Sequence, residues 1–196
     1  AMNEVAAGTF LGLRNLEDLR MSNNDVSILR VGTFVDLGRL QELDLSSNRI
    51  EDIEPGAFAG LRSLESLKMK SDRNALAVLR NGTFEGLGAL GGTLDLSHSG
   101  IQSIEPGAFV GLHNLEILVL AHNDLTILQA NTFLGLENLK ELHLNNNDWL
   151  GVETGAFIET GAFAGLDSLN AIMFFEPVCD TLFATGKLPQ SRNITC

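Results

Sequence analysis

Residues 40–63 read LQELDLSSNRIEDIEPGAFAGLRS, and this stretch decides the fold. Leucines at 40, 43 and 45 are followed by Asn48 and Phe58, and the same order then begins again. Aligned on phenylalanine, the chain gives Phe10, Phe34, Phe58, Phe84, Phe109, Phe133 and Phe157, in steps of 24, 24, 26, 25, 24 and 24 residues. A period of that length signals one short unit stacked on copies of itself. Between the rings runs the frame L-x-x-L-x-L-x-x-N: Leu16, Leu19, Met21, Asn24, then Leu40, Leu43, Leu45, Asn48, and later Leu115, Leu118, Leu120, Asn123 and Leu139, Leu142, Leu144, Asn147.

Each unit is too short to enclose a core alone. In L-x-L the two leucines point one way and the residue between them the other. Stacked side by side, such segments predict a parallel sheet with one leucine-lined face turned inward. The asparagine after each strand turns the chain, and its amide is suited to bonding backbone groups of neighbouring coils. Left unpaired, those groups would cost about 1–3 kcal/mol each. The phenylalanines, on the return through G-T-F or G-A-F, should stack as a spine along the far side. Each buried Leu or Phe contributes roughly 1.5–3 kcal/mol, so stability grows with the number of coils.

Composition agrees with an ordered chain: 44% hydrophobic and 19% charged over 196 residues. No apolar run approaches the roughly 20 residues of a membrane-spanning helix. The formal charge is −12, from 25 acids and 13 bases. Such a surface repels phosphate backbones and anionic membranes, so nucleic acid is not expected as a partner. Short acidic clusters such as Glu51-Asp52 read as a solvated face or as docking for a basic partner. Two cysteines, Cys179 and Cys196, fall in the last 18 residues. Two alone cannot complete a structural zinc site, and a disulfide between them is expected, worth about 3 kcal/mol. The sequons Asn81-Gly-Thr and Asn193-Ile-Thr make Asn81 and Asn193 glycosylation candidates.

The frame strongly resembles the leucine-rich repeat family, in the 24-residue class of animal extracellular, Toll-like and Slit-like proteins. Residues 40–63 match its consensus at almost every position, and the resemblance extends from residue 3 to about 176. It implies an α/β-type repeat: a curved, right-handed solenoid whose parallel sheet lines the concave side, with loops, short turns and the Phe spine on the convex side. It also implies protein or peptide recognition outside the cell. Residues 1–176 are therefore expected to form about seven coils, the first partial, with 177–196 as a C-terminal cap. In related proteins the cap often carries a motif like NPWxCDC. EPVCDTL keeps one of those cysteines, so the cap is a reduced variant.

The frame breaks in four places. Two extra residues separate Met69 from Asn74, and one separates Leu90 from Leu94. These are either tolerated insertions or a ridge around Lys70–Arg73 that meets a partner. Ser99 stands where the ladder expects asparagine, and ETGAF occurs twice in succession near Phe157.

No GxSxG, HExxH or phosphate loop is present, so no catalytic, cofactor or metal site is expected. Gly86, Gly88 and Gly91 have GxGxxG spacing, but Gly86 belongs to the F-x-G-L turn of the repeat. His98 and His122 occupy equivalent places in successive coils; two ligands are a weak metal set, and solvated histidines are the alternative. The functional ground is the outward face of the L-x-L strands. It reads Asp18, Arg20, Ser22; Glu42, Asp44, Ser46; Ser66, Lys68, Lys70; Thr93, Asp95, Ser97; Ile117, Val119, Ala121; Glu141, His143, Asn145; and Ala171, Met173, Phe175. Apolar residues on an exposed face mark interaction sites. Ile117 and Val119, with Met173 and Phe175, are thus the expected anchors among polar Lys68, Lys70, Asp95, Glu141, His143 and Asn145. Alternatively, the C-terminal segment folds back over Met173 and Phe175. A non-catalytic extracellular recognition module follows, with a self-associating or adhesive scaffold as the competing reading.

Overall fold

The computed structural model describes residues 4–148, 158–174 and 186. Each L-x-L segment forms a three-residue strand: β1 (Asp18–Arg20), β3 (Glu42–Asp44), β5 (Ser66–Lys68), β7 (Thr93–Asp95), β9 (Ile117–Val119), β10 (Glu141–His143) and β11 (Ala171–Met173). A second, two-residue strand sits on the later apolar positions of four coils: β2 (Ile28–Leu29), β4 (Asp52–Ile53), β6 (Val78–Leu79) and β8 (Ser103–Ile104). All pairing is parallel and steps by one repeat, as in Leu19 beside Leu43 and Leu43 beside Leu67. Register is fixed because a slip by one residue would turn each central leucine out to water.

The core is one continuous column. Phe34, Phe58, Phe84, Phe109 and Phe133 are fully buried, and consecutive rings stack nearly parallel at 5.8–6.1 Å. The ring stacked on Phe133 is Phe163, at 5.7 Å, where the 24-residue step points to Phe157. The second ETGAF copy therefore carries the last coil, and Ile158 bridges to Leu128 just ahead of it. Phe157 lies outside the described residues.

Ring spacing also gives the curvature. Equivalent points of successive coils are about 6 Å apart along the spine. At the strand ends, the His98 and His122 rings are only 4.4 Å apart, close to the roughly 4.8 Å spacing of paired strands. The strand side is thus the short, inner side of the bend.

The expected single sheet is interrupted. The long strands form two ladders, β1-β3-β5 and β11-β10-β9-β7, and the short strands pair as β2-β4 and β6-β8. Strands β5 and β7 lie side by side without joining in a hydrogen-bonded ladder. The extra residues after Met69 and before Leu94 flank this gap and offset the two backbones.

Lys70, Asp72 and Arg73 are exposed, and the extra residues are tied to the neighbouring coils. Ser71 is buried and its hydroxyl donates to the Asn48 carbonyl at 2.7 Å, while Arg73 donates to Asp25 at 2.6 Å, sharing that carboxylate with Arg49 at 3.0 Å. Asn74 takes the ladder position: its side-chain oxygen accepts from the Ile50 amide at 2.8 Å.

The asparagine ladder does what the sequence requires of it. Asn48 accepts from the Val26 amide at 3.1 Å and donates to the Met21 and Leu45 carbonyls, each at 2.9 Å. Asn123 and Asn147 repeat the pattern. At Ser99 the side chain is too short, and the link to the preceding coil is made by the Ser99 backbone carbonyl, which accepts from the Leu76 amide at 2.8 Å. Gly86 has φ +99°, and a Cβ there would lie 2.8 Å from Phe58 O and Ala59 Cα. Close coil packing accounts for this glycine without a nucleotide.

Candidate functional site: the inner strand wall

On every long strand the central residue enters the core and its two neighbours face out. The wall so formed changes character along its length. Its first half is charged: Arg20 donates to Asp18 at 2.7 Å, and a shallow depression of about 280 Å³ is lined by Asp18, Arg20, Glu42, Leu43, Asp44, Ser66 and Lys68. Burial would raise the Asp44 carboxyl. Hydrogen bonds from the Ser46 hydroxyl at 2.5 Å and amide at 2.9 Å, then Ser22 and the Lys68 charge, outweigh that and hold it below its usual value. Asp95 accepts hydrogen bonds from the Ser97 hydroxyl at 2.6 Å and amide at 2.9 Å, with Lys70 at 3.7 Å across the gap between the ladders.

The second half is apolar in the middle. Ile117 and Val119 on β9 are half-buried, and Met173 on β11 is 40% exposed. Between them β10 places Glu141 beside Ile117 and Ala171, and His143 beside Val119 and Met173. The His143 ring nitrogen meets the Glu141 carboxylate at 3.2 Å. Three of the expected anchors, Ile117, Val119 and Met173, are therefore brought onto one stretch of wall, on the two strands that flank the polar pair of β10. Asn145 is half-buried past the end of β10, Lys68 stands exposed at the charged half, and Ala121, expected on the outward face, is buried. Phe175, Cys179, Cys196 and Asn193 lie outside the described residues, as does the expected cap 177–196 apart from Gly186.

His98 and His122 stack face to face at 4.4 Å, and Asn146 Nδ2 lies 3.0 Å from His122 Nε2. In parallel rings the in-plane nitrogen lone pairs run side by side and do not converge on one ion. Among the described residues no group of three or more His, Cys, Asp or Glu is arranged to hold a metal, and no helix is long and apolar enough to cross a membrane.

A larger cavity, about 530 Å³, lies away from the wall, on the return side of the first three coils. Its residues include Arg14, Arg39 and Arg62, which the L-x-L frame does not single out. The available signal was the residue four or five places after each ring.

Comparison with known proteins places the fold. The family profile described as Leucine rich repeat matches residues 2–50, 22–73 and 92–148. Comparison with curated proteins by sequence finds no match. Among solved structures, a complex of TLR13 with ssRNA13 superposes with a TM-score of 0.75 at 30% identity, covering 89% of this chain and 23% of that one. The glycosylated Toll–Spatzle complex of Drosophila gives 0.64 at 24% identity, covering 87% and 22%. Human 5T4, also called Wnt-activated inhibitory factor 1 or Trophoblast glycoprotein, gives 0.63 at 23% identity, covering 99% and 74%. The chain thus spans less than a quarter of the TLR13 and Toll chains.

The TLR13 complex corrects one expectation. A protein of this architecture is seen with RNA, so the exclusion of nucleic acid by net charge does not stand. Net charge averages over a long surface, whereas a ligand meets a few coils. With its repeating frame, its ring spine and the profile match, the chain belongs to the leucine-rich repeat family.

Proposed function

We propose that this chain is a non-catalytic, extracellular recognition module whose inner wall binds a protein or peptide ligand. One observation carries the reading: Ile117 and Val119 on β9 and Met173 on β11 are kept at a solvent-facing wall that is otherwise mostly polar, on either side of β10. Apolar anchors ringed by polar groups on a rigid surface are what protein interfaces use. Glu141, His143 and Asn145 would form the polar rim beside these anchors, with Lys68, Lys70 and Asp95 in the charged half. The Toll complex, solved with the protein Spatzle, supports a protein ligand for this architecture. Exposure of Asn81, the first residue of a sequon, supports an extracellular setting, the compartment in which the expected Cys179–Cys196 disulfide would form. Met173 and Phe175 belong to the site if the cap leaves them open.

The test is selection of peptides from a displayed random library on the immobilised chain, then titration against Val119→Arg and Ile117→Arg. The selected peptides should bind both variants at least tenfold more weakly, with Val110→Arg, on the opposite side, unaffected. Peptides indifferent to both wall variants would remove the proposed anchor. A self-assembling scaffold, the competing reading, would show a mass in light scattering that rises with concentration.

A further inference from the structure

We propose that the return side of the first three coils is a second binding site, for a short acidic peptide segment held by Arg39 and Arg62 over a floor of Val35 and Ala59. It is independent of the strand wall, which faces the other way. The cavity of about 530 Å³ is within the usual size of ligand sites.

Its charge runs against that of the whole chain. Only 13 residues of this protein are basic, and three of them meet here in a molecule of net charge −12. Asp36 is the one acid lining the cavity, and it is already engaged by the Gly12 amide at 3.2 Å and by Arg14 at 3.3 Å. Arg39 spends one donor on Asn15 at 3.1 Å. Arg62 has no hydrogen bond or ion pair with any described residue, and both arginines are exposed. Such donors suit a carboxylate bound through two parallel N–H bonds.

The recess follows from how the coils pack. Gly60 leaves the backbone bare because a Cβ there would sit 2.2 Å from Phe34 O. Gly38 and Gly56 keep the neighbouring backbone equally free of side chains. Val35 is 39% exposed and Ala59 is exposed beside it, which gives an apolar floor under a cationic rim.

The position four residues after each ring decides the length of the ligand. Along the stack it reads Arg14, Gly38, Arg62, Gly88, His113, Glu137, Asp167. The sign reverses, and Glu85 ends the apolar floor in the fourth coil. A long polyanion following the groove would run onto carboxylates; a segment of about five residues would not.

Spacing favours a peptide. In an extended chain, side chains on one face recur about every 6.7 Å. The coil step at the ring spine here is 6.0–6.1 Å. An acidic-x-apolar-x-acidic segment therefore sets one outer carboxylate at Arg62 of the third coil and the other near the first coil, where the Arg39 guanidinium reaches Asn15, with its central side chain over Val35.

The test uses the whole chain and the labelled peptide Glu-Ser-Val-Ser-Glu, capped at both ends, read by fluorescence anisotropy at two salt concentrations. Its Gln-for-Glu counterpart is the neutral control. Saturable binding is expected for the acidic peptide only, reduced about tenfold or more in the Arg39→Gln, Arg62→Gln double variant. Ala59→Glu keeps a side chain that the fourth coil already carries at this position and should abolish binding by placing a carboxylate on the floor. Lys140→Gln, basic but remote, should change nothing. Binding that both cavity variants leave intact, or no saturation by millimolar peptide, would overturn the proposal. So would a five-nucleotide single strand that displaces the peptide at equal concentration. Concentration-dependent self-association that the double variant dissolves would assign the cavity to a second copy, and overturn it too.

Discussion

Asn48 and Ser99 hold the same ladder position two coils apart, and removing each side chain tests what the ladder contributes. Asn48 is fully buried and links two coils through three backbone groups: the Val26 amide, the Met21 carbonyl and the Leu45 carbonyl. Asn48→Ala leaves the buried Val26 N–H without its acceptor and both carbonyls without this donor. At about 1–3 kcal/mol for each orphaned buried group, with the carbonyls at the low end, the loss should be about 3–5 kcal/mol. That is a large part of the 5–15 kcal/mol typical of a whole domain. Ser99→Ala should cost less than about 1 kcal/mol, because the Ser99 hydroxyl makes one long bond of 3.4 Å and the coil-to-coil link there is a backbone one. Urea unfolding followed by circular dichroism measures both, and amide exchange at Val26 reports where the protection is lost. An Asn48→Ala protein within 1 kcal/mol of the parent, or a Ser99→Ala protein equally damaged, would refute the assignment of stability to the amide side chain.

The remaining expectations follow from single contacts. Phe84→Ala, at the centre of the ring spine, should cost about 3–5 kcal/mol in the same assay, because the rings on both sides hold the cavity open. Gly60→Ala forces a Cβ against Phe34 O and should cost about 2–3 kcal/mol, whereas Ala59→Ser beside it should be within 0.5 kcal/mol; equal effects would show that the coils shift freely there. Asp44 titrates below its usual value when folded, so its contribution is present above the unfolded carboxylate value of about 3.9 and is lost as pH falls through the folded one. Ser46→Ala removes its strongest favourable bond. The stability difference from the parent should be full at pH 7 and fade below pH 4, and a pH-independent difference would contradict the cause given.

How much of this was legible in the sequence differs from part to part. The L-x-L strands, their inward leucines and the spine were legible because each is a periodic packing requirement repeated in every coil. The last ring was misassigned to Phe157: two GAF triplets six residues apart satisfy the same local pattern, and only the pairing of Ile158 with Leu128 selects Phe163. Length alone marked the irregular stretch Lys70–Arg73, but not that Asp25 and Asn48, far away in sequence, would tie Arg73 and Ser71 to the stack. The wall anchors Ile117 and Val119 were legible by alternation. Ala121 was not, since it follows the strand, where alternation no longer sets direction. The arginine cavity left no mark in the repeat frame because Arg14 and Arg62 occupy a variable position and Asp36 replaces the glycine of its turn, at φ +72°.

The gap between β5 and β7 has a kinetic consequence. In a one-dimensional stack, cooperativity is carried from coil to coil, and its weakest junction is where fluctuations start. Here the core column runs on unbroken while the backbone zipper does not. The chain should thus breathe at Lys68–Thr93 before it melts, with two blocks of amides exchanging at different rates on either side of that seam.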